Sequence, residues 1–522
     1  MVCMIKEYFY IAVATALVGG AIAAFSWLGV PGQQAPLATQ SEVVELKNGD
    51  TYDLVASPVK KEIGGKTYTM LAYNGSIPGP IIKAVRGSEV TINLKNDTDM
   101  PTTLHAHGVR MENKFDGVPG VTQEAIPPGG SFSYTLKFLD VGMYWYHPHV
   151  RTDYAMELGL YGVVIVDPER ADYWNPVNQE IPLAIDDILI EDGEIILDKE
   201  RVSRTLMGRF GNVMLTNGET DYTLNANRGE VARFFIVNAA NARTFNIAIP
   251  GVQMKLVGGD NGAYEREEWK DAVLLGPGER AVVEALFEKS GTFTLEHRTP
   301  QKTYTLGRIN VSDTVADVSY APTFHTLKTN TDTVKSIDPF RPYFAKKPDK
   351  NIALSIDMMG GMMNMRDMAR GAHMMADGSM MGGSRDESVD GIEWEDTMAT
   401  MNTMSDATMV KWNIIDQDTK KANMTIDDWT FKVGDKVKIR IFNDPKSAHP
   451  MQHPIHIHGQ RFLVLSLNGV PETNLVWKDT TFVRIGETVD IFLDASNPGT
   501  WVAHCHILEH AEAGMMFTYK VF

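Results

Sequence analysis

Four His-x-His pairs are the residues of this sequence with the clearest chemical meaning. They lie in LHAHG, YHPHV, IHIHG and AHCHI, and their histidines are His105, His107, His147, His149, His456, His458, His504 and His506. In a β-strand, residues i and i+2 face the same side, so each pair can present two imidazoles to one metal-binding face. The 14 histidines among 522 residues would form roughly 0.4 such pairs by chance, with composition alone as the prior. Four pairs therefore predict a histidine-lined metal cluster.

The AHCHI segment places a thiol between two of these histidines. On a strand, Cys505 faces the side opposite to His504 and His506, so one strand can touch two metal sites and link them covalently. Three further candidate ligands are His453, His510 and Met515. One cysteine, two histidines and a weak axial methionine form the ligand set of a blue-copper site, which transfers single electrons. Zinc would not need the methionine, so the set favours copper.

The elements that would position these residues are repeated three times. GSEVTINLKN, GEVARFFIVN and GDKVKIRIFN, which begin at Gly87, Gly229 and Gly434, each contain a turn glycine, a largely alternating strand and a final asparagine. A second repeated element has its glycines at Gly142, Gly291 and Gly499. Its metal positions are histidines in the first and third copies but Glu296 and Arg298 in the second. We therefore expect three homologous antiparallel β-sandwiches, with the middle domain as a spacer.

Charge, cysteine content and the N-terminal segment limit the partners and the location. The 49 basic and 66 acidic residues give a net charge of −17, which argues against nucleic-acid binding and favours cations. The other cysteine, Cys3, precedes an apolar segment, so no structural disulfide is expected. Residues 8–30 carry no charge and could span a bilayer, and the positive-inside rule predicts export of the chain that follows. Ala21-Ile22-Ala23 resembles a signal-peptidase site, so both a cleaved signal and a retained anchor remain open.

At these motifs the chain resembles the three-domain multicopper oxidases, the family of laccases, ascorbate oxidase, ceruloplasmin-type ferroxidases and bacterial copper-resistance oxidases. The resemblance runs from about residue 45 to Phe522. It implies an all-β chain of three cupredoxin-like Greek-key β-sandwich domains and four copper ions, one of type 1, one of type 2 and two of type 3. The ligands it implies are His453, Cys505, His510 and Met515 for type 1, His105 and His456 for type 2, and His107, His147, His149, His458, His504 and His506 for the type 3 pair.

The resulting domain plan has five parts. Residues 1–40 are expected to be a signal peptide or N-terminal membrane anchor plus a linker, 41–170 the first cupredoxin domain and 171–315 the second, without copper ligands. Residues 316–350 are expected to be a linker, and 351–522 the third domain with a methionine-rich insertion at 358–409. We expect the protein to be periplasmic or extracellular.

The resemblance also implies the reaction. Single electrons enter at the type 1 copper, pass through Cys505 and its flanking histidines, and reduce dioxygen to two waters. For the protons, Asp116 in FDGVPG occupies the place of an acid beside the cluster, although Asp-Gly is also a common turn pair. In cuprous-oxidising relatives an acid directly follows the second type 1 histidine. Here that place is Ala511, and Glu512 is the nearest candidate.

The methionine-rich insertion indicates the reductant. Residues 358–409 hold 14 of the 28 methionines, and thioether sulfur selects Cu(I) over hard cations; a flexible loop or plain apolar packing is the alternative reading. Candidate substrate-copper residues are Met451, His449, Asp357, Met358, Met359, Met362 and Met363. We expect Cu(I) oxidation for copper detoxification. The alternatives are a laccase that oxidises phenols or aromatic amines, and a copper-sequestering protein without turnover.

Overall fold

The described part of the chain comprises residues 35–358 and 390–522 of a computed structural model, with the backbone of two short strands between these ranges. The apolar segment 8–30 and three candidate copper residues, Met359, Met362 and Met363, lie outside the described residues. Among the helices of the described ranges, none is both long enough and apolar enough to cross a bilayer.

The first domain packs a four-stranded sheet on a five-stranded sheet. Its strands are β1 (Val43–Leu46), β2 (Thr51–Ile63), β3 (Lys66–Tyr73), β4 (Ile81–Val85), β5 (Glu89–Asn96), β6 (His105–His107), β7 (Ser131–Lys137), β8 (Gly142–His147) and β9 (Gly162–Asp167), and its helix is α1 (Thr152–Glu157). The strand orders are β3-β2-β5-β7 and β1-β4-β9-β8-β6. Along β5, Val90, Ile92 and Leu94 are buried in the core between the sheets. The alternation read from the sequence is therefore that of a half-buried strand.

The second domain has a six-stranded and a five-stranded sheet, ordered β13-β10-β15-β20-β17-β18 and β14-β22-β21-β16-β19, with a β11-β12 hairpin. Its strands are β10 (Gln179–Ile188), β11 (Ile190–Glu191), β12 (Glu194–Ile195), β13 (Val213–Thr216), β14 (Thr223–Arg228), β15 (Val231–Asn238), β16 (Phe245–Ala248), β17 (Gln253–Gly259), β18 (Gly262–Lys270), β19 (Val273–Leu275), β20 (Arg280–Leu286), β21 (Gly291–Arg298) and β22 (Thr303–Val315).

Both faces of the six-stranded sheet are covered, which explains why β15 is buried along its whole length. Phe234 and Ile236 face the core of the second domain. Phe235 and Val237 belong to a different core that also contains Trp145 of the first domain. The second domain is therefore packed directly on the first through an apolar sheet face.

The third domain repeats the arrangement with sheets ordered β26-β23-β28-β33-β30-β31 and β27-β35-β34-β29-β32, and a β24-β25 pair. Its strands are β23 (Lys350–Met358), β24 (His373–Met374), β25 (Met380–Met381), β26 (Val410–Asp416), β27 (Thr430–Phe431), β28 (Lys436–Asn443), β29 (His453–Ile457), β30 (Arg461–Leu467), β31 (Val470–Pro471), β32 (Thr480–Val483), β33 (Thr488–Asp494), β34 (Gly499–Cys505) and β35 (Met516–Val521). The further helices of the described residues are α2 (Ala321–Phe324), α3 (Thr331–Ile337), α4 (Ala399–Met404) and α5 (Leu508–Glu512), with 3-10 turns at Asn113–Phe115, Asp338–Tyr343 and Asn423–Thr425.

The final asparagine of the first repeated element has the same task in each domain. Asn96, Asn238 and Asn443 end β5, β15 and β28, and each side-chain amide donates hydrogen bonds to two backbone carbonyls of nearby segments. In the third domain one acceptor is the carbonyl of Met451, at 2.6 Å. The repeat therefore fixes the backbone two residues before His453, because a buried carbonyl needs a donor.

The all-β class is confirmed, but the expectation of antiparallel sheets holds only in part, because each domain also contains parallel pairs. The equivalent pairs β2 with β5, β10 with β15 and β23 with β28 run parallel in the three domains. Greek-key connections pair strands that are not consecutive in the sequence. Because no short hairpin joins such strands, they can run parallel.

Candidate metal centre

The His-x-His pairs lie on neighbouring strands of the first and third domains. Antiparallel pairing of β6 with β8 sets His105 opposite His147. Antiparallel pairing of β29 with β34 sets His456 opposite His504. Each domain therefore brings two of the predicted pairs side by side, since adjacent strands are about 4.8 Å apart.

The histidines of the two domains meet in one buried cluster. The rings of His107 and His456 stack with centroids 3.6 Å apart, and those of His105 and His458 with centroids 4.0 Å apart. Three sets of side-chain ligand atoms each lie within 4.8 Å of one another: His105 with His456 and His458, His105 with His107 and His147, and His149 with His458 and His504. The ring of His506 completes the group, with its centroid 5.0 Å from that of His107. The structure thus brings all eight histidines together.

In four of these rings, the Nδ1 atom contacts a backbone carbonyl outside the cluster. The Nδ1 atoms of His105, His147, His456 and His504 lie 2.8, 2.9, 2.9 and 2.7 Å from backbone carbonyl oxygens. A carbonyl only accepts, so each Nδ1 carries the proton and each Nε2 is the basic nitrogen. Within the described residues, the buried Nε2 atoms of His105, His147 and His456 have no hydrogen-bond partner. In such a ring an acceptor outside the cluster fixes the orientation, and the unprotonated Nε2 faces the centre of the cluster. This arrangement is typical of histidines that coordinate a metal.

The electrostatics of the cluster favour neutral imidazole, the form that binds a metal. Burial lowers the pKa of His107, His147, His458, His504 and His506 well below the ordinary value of the side chain, and neighbouring histidines lower it further. These five imidazoles are therefore neutral at neutral pH without a bound cation.

A second site lies on the other side of β34. Sγ of Cys505 lies 3.4 Å from Nδ1 of His453 and 3.9 Å from Nδ1 of His510, and all three side chains are fully buried. The buried Met515 belongs to the same core, and its backbone carbonyl accepts a hydrogen bond from the Cys505 N–H. Burial raises the pKa of the Cys505 thiol, so a thiolate here needs a bound cation, whose arrival releases the proton.

The two sites are joined by a very short path. The backbone carbonyl of Cys505 lies 2.7 Å from Nδ1 of its neighbour His504. His504 belongs to the histidine cluster, whereas the Cys505 side chain faces His453 and His510. The alternation expected along this strand is present, and it supplies both a covalent and a hydrogen-bonded connection between the sites.

Asp116 lies against the cluster rather than in an exposed turn. Its Oδ2 lies 2.9 Å from Nδ1 of His458, and its Oδ1 lies 3.3 Å from Nδ1 of His105. Burial acts to raise the pKa of this carboxyl, but His458 and His105 outweigh it and hold the pKa below its usual range. The group is thus an anion that bridges a ring of the first domain and a ring of the third.

Glu512 is directed toward the first domain. Its Oε1 accepts a hydrogen bond of 2.7 Å from the backbone N–H of Thr152, the first residue of α1. Burial raises its pKa to about 7, and the neighbouring Asp153 adds to the effect. Glu512 therefore contacts the start of α1, where its carboxyl group accepts a hydrogen bond from a backbone N–H that has no partner within the helix.

The candidate substrate-copper residues are spread around the Cys505 site. Met451 is fully buried in the core that contains Cys505, and Met358 packs against the same core. Asp357 is exposed, and its Oδ2 accepts a hydrogen bond of 2.8 Å from Asn413. The half-buried His449 lies with Nε2 2.8 Å from Sδ of Met207.

Sequence reasoning missed two residues near this site. Met207 is a fully buried methionine from the second domain, and nothing in the surrounding RTLMGRF marks it. Trp412 stacks on His510 with centroids 4.2 Å apart and contacts His453 edge-on at 4.9 Å. Its indole N–H donates to the carbonyl of Thr205, 2.7 Å away. Met207 reaches the site only through packing of the second domain on the third, and the ring contacts of Trp412 form between segments that are distant in the sequence, so no local pattern reveals either residue.

Comparison with known proteins identifies the family. Three multicopper oxidase family models match residues 56–171, 175–314 and 393–522. The chain belongs to the multicopper oxidases, with three domains and a laccase-like organisation. Its cofactor is four copper ions, one of type 1, one of type 2 and two of type 3. It is an oxidoreductase that couples oxidation of a reducing substrate to reduction of dioxygen.

Relatives span nearly the whole chain. The multicopper oxidase mco of Staphylococcus aureus is 26% identical over 504 residues, which cover 91% of this chain and 93% of that protein. A copper resistance protein A homolog of Pseudomonas syringae pv. tomato is 24% identical over 561 residues, which cover 91% and 92%. The solved multicopper oxidase of Campylobacter jejuni, described as a metallo-oxidase, is 25% identical with a TM-score of 0.69, and the match covers 94% of this chain and 98% of that one.

Proposed function

We propose that this protein is an exported cuprous oxidase that converts Cu(I) to Cu(II) for copper detoxification. Four Cu(I) ions, one dioxygen and four protons give four Cu(II) ions and two waters. Export is supported by the uncharged residues 8–30, which are followed by no basic residue before Lys47. The similarity to a copper resistance protein A homolog supports the detoxifying role.

The proposed ligand assignment follows the two clusters. His453, Cys505, His510 and Met515 would hold the type 1 copper; His105 and His456 the type 2 copper; and His107, His147, His149, His458, His504 and His506 the type 3 pair. Bound there, the coppers would supply one-electron uptake at one end and oxygen reduction at the other. Around them, the protein keeps the imidazoles neutral, connects the ends through Cys505 and holds the Asp116 carboxylate at the cluster.

The observation that carries the cuprous proposal is the pair formed by His449 and Met207. An imidazole nitrogen and a thioether sulfur 2.8 Å apart are a borderline and a soft donor, a combination suited to Cu(I). The pair is close to the type 1 end, since Met207 is buried in the core that also contains Cys505 and Met515. Trp412 covers the ring of His510. A soft ion held by His449 and Met207 would therefore lie beside the core that contains the type 1 ligands.

Removing the methionine-rich segment tests the substrate. Deletion of residues 359–381 keeps Met358, which pairs with Val410 in the β23–β26 ladder. We expect Cu(I)-dependent oxygen uptake to fall while phenol oxidation is retained or rises, because soft sulfur ligands are lost and the type 1 end is left intact. Oxygen-electrode assays with Cu(I), Fe(II) and a phenol on one preparation provide the measurement.

Each other outcome of that assay identifies an alternative. Unchanged Cu(I) oxidation in the deletion variant would contradict a role of the methionine-rich segment in substrate delivery. If the full-length protein also oxidised a phenol or an aromatic amine much faster than Cu(I), the result would contradict the proposal and favour a laccase-type oxidase. Copper binding by the full-length chain without oxygen uptake on any reductant would instead indicate a copper-sequestering protein.

Met207→Leu tests the inner pair with little change in volume. We expect KM for Cu(I) to rise by about 10-fold, the size of effect given by loss of roughly 1.4 kcal/mol of binding. Phenol turnover should stay near that of the wild type, because the Cys505 ligands are untouched. The matched control is Met254→Leu, which changes a buried methionine in the core of the second domain. Equal loss of phenol and Cu(I) oxidation in Met207→Leu would show a general packing defect instead.

A further inference from the structure

Arg280 brings the second domain into contact with the oxygen-reducing end of the site. It begins β20, and its side chain is fully buried. Its Nη1 donates to Oδ1 of Asp479 at 2.6 Å, and its Nη2 donates to Oδ2 of the same carboxylate. Its Nε donates to the carbonyl of Met143 in β8, 2.9 Å away. One guanidinium thus joins all three domains. It makes a two-pronged contact with a carboxylate of the third domain and a hydrogen bond to a backbone carbonyl of the first.

Asp479 in turn holds a cluster histidine. Its Oδ1 lies 3.0 Å from Nε2 of His107 and accepts a 2.9 Å hydrogen bond from Oγ1 of Thr480. Its backbone carbonyl lies 2.9 Å from Nδ1 of His456. An ionised carboxylate only accepts, so Nε2 of His107 carries the proton and Nδ1 is the basic nitrogen. Within the described residues, this buried Nδ1 has no hydrogen-bond partner, as suits a nitrogen that faces a metal.

His107 therefore differs from the rings held by backbone carbonyls, whose basic nitrogen is Nε2. Its opposite tautomer depends on side chains: the Asp479 carboxylate, and Oγ1 of Thr480, which also lies 3.0 Å from Nε2 of His107. The carboxylate is in turn fixed by an arginine from another domain. The packing around the pair is tight. A Cβ atom on Gly108 would lie 2.2 Å from Oδ2 of Asp479 and 2.8 Å from Nη2 of Arg280. The glycine that ends LHAHG is thus required by the ion pair directly beneath it.

We propose that Arg280 is a positioning residue for the three-copper cluster, which acts through Asp479 to fix the tautomer and direction of His107. The second domain, expected from sequence to be a spacer, then supplies a part of the site that the ligand-bearing domains lack. This role is independent of the identity of the reducing substrate.

The test compares Arg280→Lys with Arg233→Lys. Lysine keeps the charge but cannot form the two-pronged contact. Arg233 is a matched control, because it is also buried in the second domain and pairs with Glu284 at 2.6 Å. For Arg280→Lys we expect copper to be lost to a competing chelator at about 10- to 100-fold lower chelator concentration, as for other outer partners of metal ligands. The EPR-detectable fraction of the remaining copper should rise, while the blue absorption of the Cys505 site stays unchanged.

Asp479→Asn tests the same link with a side chain of equal size, and should weaken copper retention to a similar extent. If Arg280 acts through Asp479, adding Arg280→Lys to Asp479→Asn should change retention by no more than about twofold, because contacting residues in one network are not additive. Three results would overturn the proposal: copper retention of Arg280→Lys equal to wild type, an equal loss in Arg233→Lys, or multiplication of the two effects in the double variant. If Arg280→Lys does not fold, retained copper and an unchanged EPR spectrum in Asp479→Asn overturn it.

Discussion

Cys505→Ser is expected to abolish the oxidation of every reducing substrate. Serine has nearly the same size, but its hydroxyl does not supply the soft, easily ionised ligand that holds a blue copper. The change also removes the sulfur from the path between the sites, while the histidine cluster on the other face of β34 remains. We expect three coppers per chain instead of four, no blue absorption, and no oxygen uptake with Cu(I), Fe(II) or a phenol. Metal analysis and absorption spectroscopy provide the measurements.

Met515→Leu is the matched control for that variant, because it removes only the weak axial ligand from the same buried core. It should keep its blue absorption and four coppers, with a changed reduction potential. Cys505→Ser should still fold, at a cost of about 1–3 kcal/mol for a buried hydroxyl. A serine variant that retained four coppers and measurable turnover would contradict the role assigned to the thiolate.

Asp116→Asn is expected to slow the oxygen-reducing half of the reaction. The amide keeps the size of the side chain, but it removes the anion that contacts both His105 and His458. We expect turnover to fall by about 10- to 100-fold, the range found for outer partners of metal ligands. Reduction of the blue site under anaerobic conditions should be unchanged, because Cys505 and its ligands are not touched. Stopped-flow reduction and reoxidation separate the two halves.

Asp140→Asn provides the comparison, since Asp140 is a half-buried carboxylate between the first and third domains. It pairs with Arg110 at 2.6 Å and with Arg461 at 2.8 Å. That variant should lose stability but keep its reoxidation rate for each folded molecule. If Asp116→Asn were reoxidised by dioxygen as fast as the wild type, Asp116 would have no role at the cluster beyond packing.

Much of the site could be predicted because strand alternation is a local property. The opposite facing of Cys505 and its neighbours follows from a two-residue period, and Asp116 was located through the family pattern. Met207, Trp412 and Arg280 could not be found in the same way. Met207 and Arg280 acquire their roles only when the second domain packs on its neighbours, and Trp412 only when the third domain folds around its type 1 ligands. The sequence around each reads as an ordinary buried segment. The parallel strand pairs were not predicted for a similar reason, because crossovers pair strands that are distant in the chain.

The two-domain origin of the cluster has a consequence during biosynthesis. Asp116 and His458, which share a hydrogen bond, are 342 residues apart in sequence, and such distant contacts form late and slowly. When the first two domains have emerged from the ribosome, the chain contains four of the eight cluster histidines, and the four from the third domain have not yet been synthesised. The nascent chain therefore cannot assemble a copper centre that activates oxygen, and it is protected from its own redox chemistry until the third domain has emerged and folded.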